Sequence, residues 1–201
     1  MTNYENLKAG KLYKVDKTLQ KELSKCWQIL LKLNQTQDNE EIKKICKELF
    51  GKIGENSQVL PPFRCDYGRH IHIGKNTFIN FNVSMVDVGE IKIGSQVLIG
   101  PSTGIFTAIH PIDPEIRATG VEKSKPIIIE DKVWIGGNVT ILPGVTIGKG
   151  SIIGAGSVVT KDIPEMSIAI GNPAKVVRKI TEEDKKYWQG EYEMYLKEIG
   201  E

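Results

Sequence analysis

Cysteine is scarce in this chain: three in 201 residues, Cys26, Cys46 and Cys65, with no CxxC spacing. An odd number in no metal-binding pattern argues against a disulfide framework and against a zinc finger. Cys26 and Cys46 fall at apolar positions of helical segments and read as small core residues. Cys65, in "RCDYG", has no evident base beside it, which argues against nucleophilic catalysis there. Charge of one sign is also missing. Lys and Arg number 27 and Asp and Glu 25, a formal net charge of +2, too little for a nucleic-acid or acidic-membrane surface. No apolar run approaches a membrane span, and the polar opening "MTNYENLKAGK" is not a signal peptide. These features lead us to expect a cytoplasmic protein with no membrane or nucleic-acid partner. No P-loop is present, so a nucleoside triphosphate is not indicated.

What the chain does have is a beat. The front, 1–56, reads as helical. In "KTLQKELSKCWQILLKL", Leu19, Leu23, Cys26, Trp27 and Leu30 share one face at helical spacing. After "NQTQ", Asp38 reads as an N-cap with Glu41 three residues on, and Ile42, Ile45, Cys46, Leu49 and Phe50 line the following helix. From "IHIGKN" the period becomes six. Ile73, Ile79 and Met85 keep it, two extra residues follow, and it resumes at Ile93, Ile99 and Ile105. After a lapse over 106–126 it runs unbroken through Ile129, Ile135, Ile141, Ile147, Ile153 and Val159. Neither a helix nor an ordinary hairpin has period six. Short strands joined by tight turns do, each hexad forming one side of a coil, with the repeated aliphatic inside and glycines easing the corners. The coil is expected over 57–180. From Thr181 onward a capped helix is expected over 181–201, with Trp188, Tyr192, Tyr195, Leu196 and Ile199 as its buried side, closing the coil's open end.

The lapse carries His110, Pro111, Pro114 and Gly120. A long loop inside a compact repeat tends to be functional, and a histidine with a pKa near neutrality suits a general base. Taken by itself, a lone histidine in a loop is more commonly just a polar loop residue.

The runs "IGKNTFIN", "IKIGSQVLIG" and "VWIGGNVTILPGVTIGKGSIIGAGSVVTKDIP" resemble the hexapeptide-repeat acyltransferases. "AGKLY", "RCDYG", "NFN", "HPIDPEIR" and "GNPAKVVRKI" narrow the resemblance to the maltose and galactoside O-acetyltransferases. The likeness implies a mainly β fold: a left-handed parallel β-helix with three hexads per turn, an N-terminal helical hairpin and a C-terminal helix. It also implies acetyl-CoA as co-substrate, no metal, and a homotrimer with each active site at a subunit interface.

The same resemblance assigns roles. His110 matches the family's catalytic histidine, taking the proton of a sugar hydroxyl as the oxygen attacks the thioester, a contribution of ~10²–10⁴-fold. Asn80 stands where the family stabilises the oxyanion. Gly137 stands where a backbone N–H faces the thioester, and Ala155 and Thr160 lie along the coenzyme groove. Lys161, Lys175 and Arg178 match phosphate-binding positions. Asp66 and Asp87 are candidate acceptors for sugar hydroxyls, and Glu122 either hydrogen-bonds His110 or contacts the sugar. Galactoside-type enzymes carry Ser at the position of Asp66, Asp at that of Val88, Met at that of Glu122 and Arg at that of Lys175. The first three departures lean toward the maltose type. The expected reaction is acetyl transfer from acetyl-CoA to maltose, glucose or a galactoside.

Two other readings use the same residues. γ-Type carbonic anhydrases share this coil and bind zinc through three histidines, and the chain has three: His70, His72 and His110. However, "RHIHIG" places His72 between inward-pointing residues, hence outward. A non-catalytic β-helix module would leave the histidine loop without a purpose.

Overall fold

The computed structural model describes residues 1–200. Its body is a parallel β-solenoid of about six turns with a triangular section. The first face stacks Lys52–Ile53, Ile71–Ile73, Ile91–Ile93, Ile127–Ile129 and Thr146–Ile147. The second stacks Gln58–Val59, Phe78–Ile79, Leu98–Ile99, Trp134–Ile135, Ile152–Ile153 and Ser167–Ile170. The third stacks Phe63–Cys65, Val83–Val86, Gly104–Phe106, Thr140–Ile141 and Val158–Val159. Each strand pairs in parallel with the one a coil away, so Ile99, Ile135 and Ile153 stand in one column. These are the beat residues, and they form one continuous buried core.

The corners divide a task that the sequence reading gave to glycine alone. The left-handed backbone positions are held mostly by other residues: Asn76 at φ 54°, Gln96 at 59°, Lys132 at 59° and Asn138 at 58°. Glycines that directly follow a beat residue answer a different need. A Cβ on Gly74 would lie 2.5 Å from the backbone of Gly94, one coil along. There glycine provides space for stacked backbones rather than an unusual φ.

Five helices accompany the coil: α1 (Asn3–Lys8), α2 (Lys17–Gln35), α3 (Asn39–Leu49), α4 (Pro114–Ala118) and α5 (Glu182–Ile199). The first three end the coil at its N-terminal side. Asp38 caps α3 by accepting the Glu41 N–H, while the Glu41 side chain turns to Thr36 instead of closing a capping box. Cys26, Leu30 and Leu33 of α2, and Ile42, Ile45, Cys46 and Leu49 of α3, join the same core as the coil. Trp27 is a correction: it is 63% exposed, and Leu33 takes the place on the buried face that the spacing gave it. All three cysteines are buried and free.

The C-terminal helix is a second correction. α5 has the expected capping box between Thr181 and Asp184, yet buries none of its residues. Trp188, Tyr192, Tyr195 and Ile199 are exposed. The coil's last strand is paired instead by the antiparallel strand Lys175–Lys179. No described helix is long and apolar enough to cross a membrane.

Stacking makes a sharp distinction between inward and outward positions. Ile135 is 0% exposed and Ile128, on the outside of a neighbouring face, 37%. Ile135→Ala is expected to cost about 2–5 kcal/mol, and Ile128→Ala to stay within about 0.5 kcal/mol. Urea unfolding of both variants checks this. Similar losses would contradict the register.

Candidate active site

One corner of the prism is irregular, the one leading from the third face to the first. The beat runs from Cys65 to Ile73 and from Met85 to Ile93, eight residues each time instead of six. The extra residues lie in 66–70 and 87–90, between a third-face strand and the next first-face strand. In the next coil the same corner releases the long insertion. Successive coils therefore place Asp66, Asp87 and the His110 loop along one edge.

The insertion is folded rather than loose. Ala108–Ile109 pairs antiparallel with Val121–Ser124, and Tyr13–Lys14 from the N-terminus adds to the other side. The register sets Ile109 opposite Lys123, so His110 follows opposite Glu122. Glu122 is in turn opposite Tyr13. Residues directly opposite in a sheet share a face, which brings these three side chains into a row. The Tyr13 hydroxyl donates to Glu122 Oε1 at 2.5 Å. Glu122 Oε2 lies 3.7 Å from His110 Nε2. The His110 side chain is 59% exposed and that of Glu122 15%. Burial, with the Glu122 hydrogen bond second, holds the Tyr13 phenol far above its usual range, so it remains a neutral donor.

Near this row lies a cluster of buried and half-buried carboxyls. Asp87 is fully buried, and its Oδ1 accepts the backbone N–H groups of Asp66 and Tyr67, each at 2.9 Å. Its own carbonyl receives His70 Nδ1 at 2.7 Å. Asp87 thus fixes the 66–70 turn, a positioning role that "MVDV" did not reveal. Burial first, then the Asp87 and Glu122 carboxylates, push Asp66 up to about 6. Burial likewise pushes Asp87 up to about 6, against the pull of its backbone N–H partners. Asp87 Oδ2, the Tyr67 hydroxyl and His70 Nε2 are buried without a partner among the described residues. Val88 packs with Leu7, Tyr13, Leu19 and Tyr67.

The remaining sequence candidates divide between edges. Thr160 and Lys161 follow Val159 at the irregular corner, two coils beyond the insertion's origin at Phe106. Asn80, Gly137 and Ala155 lie instead where the second face turns into the third. Asn80 Oδ1 accepts the Phe81 N–H at 2.8 Å, which leaves the amide NH₂ free to donate. The Gly137 N–H finds no acceptor among the described residues. Lys175 and Arg178 sit on the final antiparallel strand. Lys175 forms no ion pair among the described residues. The Arg178 guanidinium is already forked onto Asp184, at 2.6 and 2.9 Å. A single chain therefore gathers His110, Glu122, Asp66 and Asp87, and keeps Asn80, Gly137 and Ala155 across a face from them. The three histidines do not converge: His70 is tied to Asp87, His72 faces outward on the first face, and His110 is on the insertion.

Tyr13, Tyr67 and His70 contact the candidate site residues Glu122 and Asp87, and the sequence alone does not point to these contacts. Tyr67 stood within the quoted "RCDYG". Tyr13 is 109 residues from its partner, and nothing local signals that pairing.

Comparison with known proteins agrees with this architecture. Residues 126–161 match the family model of the bacterial transferase hexapeptide (six repeats), and residues 7–54 that of the maltose acetyltransferase hexapeptide capping motif. A galactoside O-acetyltransferase of Escherichia coli K12 is 41% identical over 193 residues, 94% of this chain and 95% of its own. The crystal structure of a maltose O-acetyltransferase from Clostridium difficile 630 superposes with a TM-score of 0.89 at 44% identity, covering 90% of this chain and 98% of that one. A galactoside acetyltransferase in complex with coenzyme A superposes at 0.88 with 40% identity, covering 92% and 94%. A hexapeptide-repeat acetyltransferase of Vibrio cholerae complexed with acetyl coenzyme A superposes at 0.85 with 42% identity, covering 90% and 100%.

The carboxyl cluster has a consequence for stability. With carboxyls raised from 3.8 to about 6, the folded chain holds these protons more tightly than the unfolded chain. Well below 3.8 both states are protonated and nothing is lost; as pH rises from about 4 to about 6 the unfolded chain releases protons that the folded chain keeps, so stability falls over that window and levels off above it. Asp66→Asn is expected to stabilise the protein by roughly 1–2 kcal/mol at about pH 7.5, allowing for its partial exposure. The gain should fade near pH 4. Thermal unfolding at both pH values checks this, and an equal shift at both would contradict it.

Proposed function

This chain belongs to the hexapeptide-repeat O-acetyltransferases of the maltose and galactoside type, and from that premise we propose a direct transfer with His110 as the base. The enzyme is an acetyl-CoA-dependent acetyltransferase. The acceptor is a sugar hydroxyl, with maltose or glucose favoured over galactosides by Asp66, Val88 and Glu122. The observation that carries the reading is the row His110, Glu122, Tyr13. Tyr13 holds Glu122, and Glu122 stands beside one nitrogen of the His110 ring, leaving the other open to a substrate proton. This is the arrangement of a base oriented by a third group.

The hydroxyl oxygen attacks the thioester carbonyl carbon while His110 takes its proton. The oxyanion is met by the free Asn80 amide and the unengaged Gly137 N–H, donors of a kind worth about 3–4 kcal/mol. Collapse breaks the carbon–sulfur bond, and the imidazolium returns its proton to the departing thiolate. Ala155 and Thr160 border the pantetheine groove. Lys161, Lys175 and Arg178 bind the phosphates, Arg178 by exchanging Asp184 for phosphate.

Since His110 and Asn80 lie on different edges of one prism, they meet only if a second copy lends its edge. We read the working enzyme as a homotrimer with three shared sites, the closed symmetry that suits a three-sided prism. The division we propose is a mainly helical front over 1–56, whose last strand Lys52–Ile53 already joins the first face of the coil, the catalytic coil over 57–180 and the helix over 181–201.

His110→Ala is expected to lower turnover by at least ~10²-fold with an unchanged melting temperature. Retained turnover per folded molecule would remove the base assignment. Neutralising Lys175 and Arg178 together should raise the KM for acetyl-CoA and leave that for the sugar nearly unchanged. Equal effects on both would remove the phosphate assignment. Light scattering with activity across a dilution series tests the shared site, and a fully active monomer would refute it.

A further inference from the structure

Two surfaces at opposite ends of the coil are left uncovered by the chain itself. The first is on α5. Trp188, Tyr192, Tyr195 and Ile199 follow one another at intervals of four, three and four residues, which sets them on one helical face. They are 48–66% exposed. Glu191 and Glu198 stand three residues after Trp188 and Tyr195, hence beside the stripe. Neither forms an ion pair among the described residues.

The second surface is at the N-terminal end. A groove of about 650 Å³ opens between α3 and the first corner of the coil. Ile42, Ile53, Val59 and Leu60 line it, together with the exposed Lys44 and Lys47. Its acidic residues are engaged already, Glu40 by Lys43 at 2.7 Å and Glu55 by Lys75 at 2.9 Å. Lys44 and Lys47 have no such partner among the described residues. The unpaired charge at the groove is therefore positive, and the unpaired charge beside the stripe is negative.

Stripe and groove do not meet within one chain. α3 packs on the first strand of the second face, and α5 follows the strand paired to its last. Between those ends lie five strand spacings of about 4.8 Å, roughly 24 Å in all. Each copy thus carries both halves of a contact that it cannot make with itself.

We propose that α5 of one copy seats its aromatic stripe in the α3 groove of a second copy. This is helix-in-groove recognition, read as anchors on one helical face. Glu191 and Glu198 of one copy come beside Lys44 and Lys47 of the next. The contact is heterologous, with a different surface on each partner. Four side chains of ~150–250 Å² each, about half exposed, contribute roughly 400 Å² from α5. The whole contact then buries about 800 Å², which places it among weak, reversible associations. It adds to whatever closed oligomer the chain forms.

Sedimentation velocity of the full-length protein at low salt tests this. Between about 1 μM and about 100 μM the weight-average mass should at least double. Two variants separate the surfaces. Trp188→Ala with Tyr192→Ala removes half of the stripe, and Lys44→Glu with Lys47→Glu reverses the groove's free charge. All four positions are exposed, so melting temperature and kcat should stay unchanged. Glu191→Lys with Glu198→Lys removes no apolar group and should act as the helix variant does, which keeps the test open if that variant misfolds. Neither the helix variant nor the groove variant should associate alone. Mixed in equal amounts they should, because the first keeps its groove and the second its helix. A constant mass in the unmodified protein would overturn the proposal. So would association that survives in either variant, or a mixture that stays dissociated.

Discussion

One buried aliphatic side chain per face per coil, standing on its counterpart a coil away, is the interaction on which this molecule depends. Each column, such as Ile99, Ile135 and Ile153, fixes the register of its strands. The register aligns the corners, where most of the candidate site residues stand. The columns tolerate no slip, because a shift of one residue would turn the beat outward. They do tolerate extra residues at a corner. After the two additions at 87–90, Ile93 still stands beside Ile73, and after the long insertion Ile129 stands beside Ile93.

That tolerance lets a rigid scaffold carry an unfavourable group. Asp87 is taken out of water entirely and Asp66 partly, beside a third carboxylate. Such a cluster opposes folding at neutral pH. It persists because Asp87 Oδ1 grips two backbone N–H groups of the neighbouring coil. The surrounding columns contribute far more stability than the cluster removes. Removing a charge here should stabilise the protein, which marks the cluster as selected for something other than stability.

The period of six made the coil legible, because spacing alone tells which residues stack. The helical caps were legible for a similar reason: Asp38 and Thr181 act on N–H groups three residues away. What escaped were relations between distant segments. Tyr13 meets Glu122 only because the N-terminal strand adds to the insertion's hairpin, a pairing with no periodic signature. Trp27 fits the helical stripe by spacing, yet the coil has no surface at that angle. The aromatic stripe of α5 was equally regular and equally uninformative, since periodicity shows that a face is apolar and not what stands opposite it. Asp87, expected as an acceptor for a sugar hydroxyl, is fully buried, and its Oδ1 holds the 66–70 turn.

The two kinds of corner also divide the chemistry. Asn80, Gly137 and Ala155 sit on regular hexads, where position is dictated by the columns and cannot drift without disturbing the core. Asp66, Asp87, His110 and Glu122 sit on the irregular corner, where turn length and side chains can change while the beat resumes unchanged. The differences from the galactoside type at Asp66, Val88 and Glu122 all fall on the irregular corner, where turn length and side chains can change while the columns of the core stay in place.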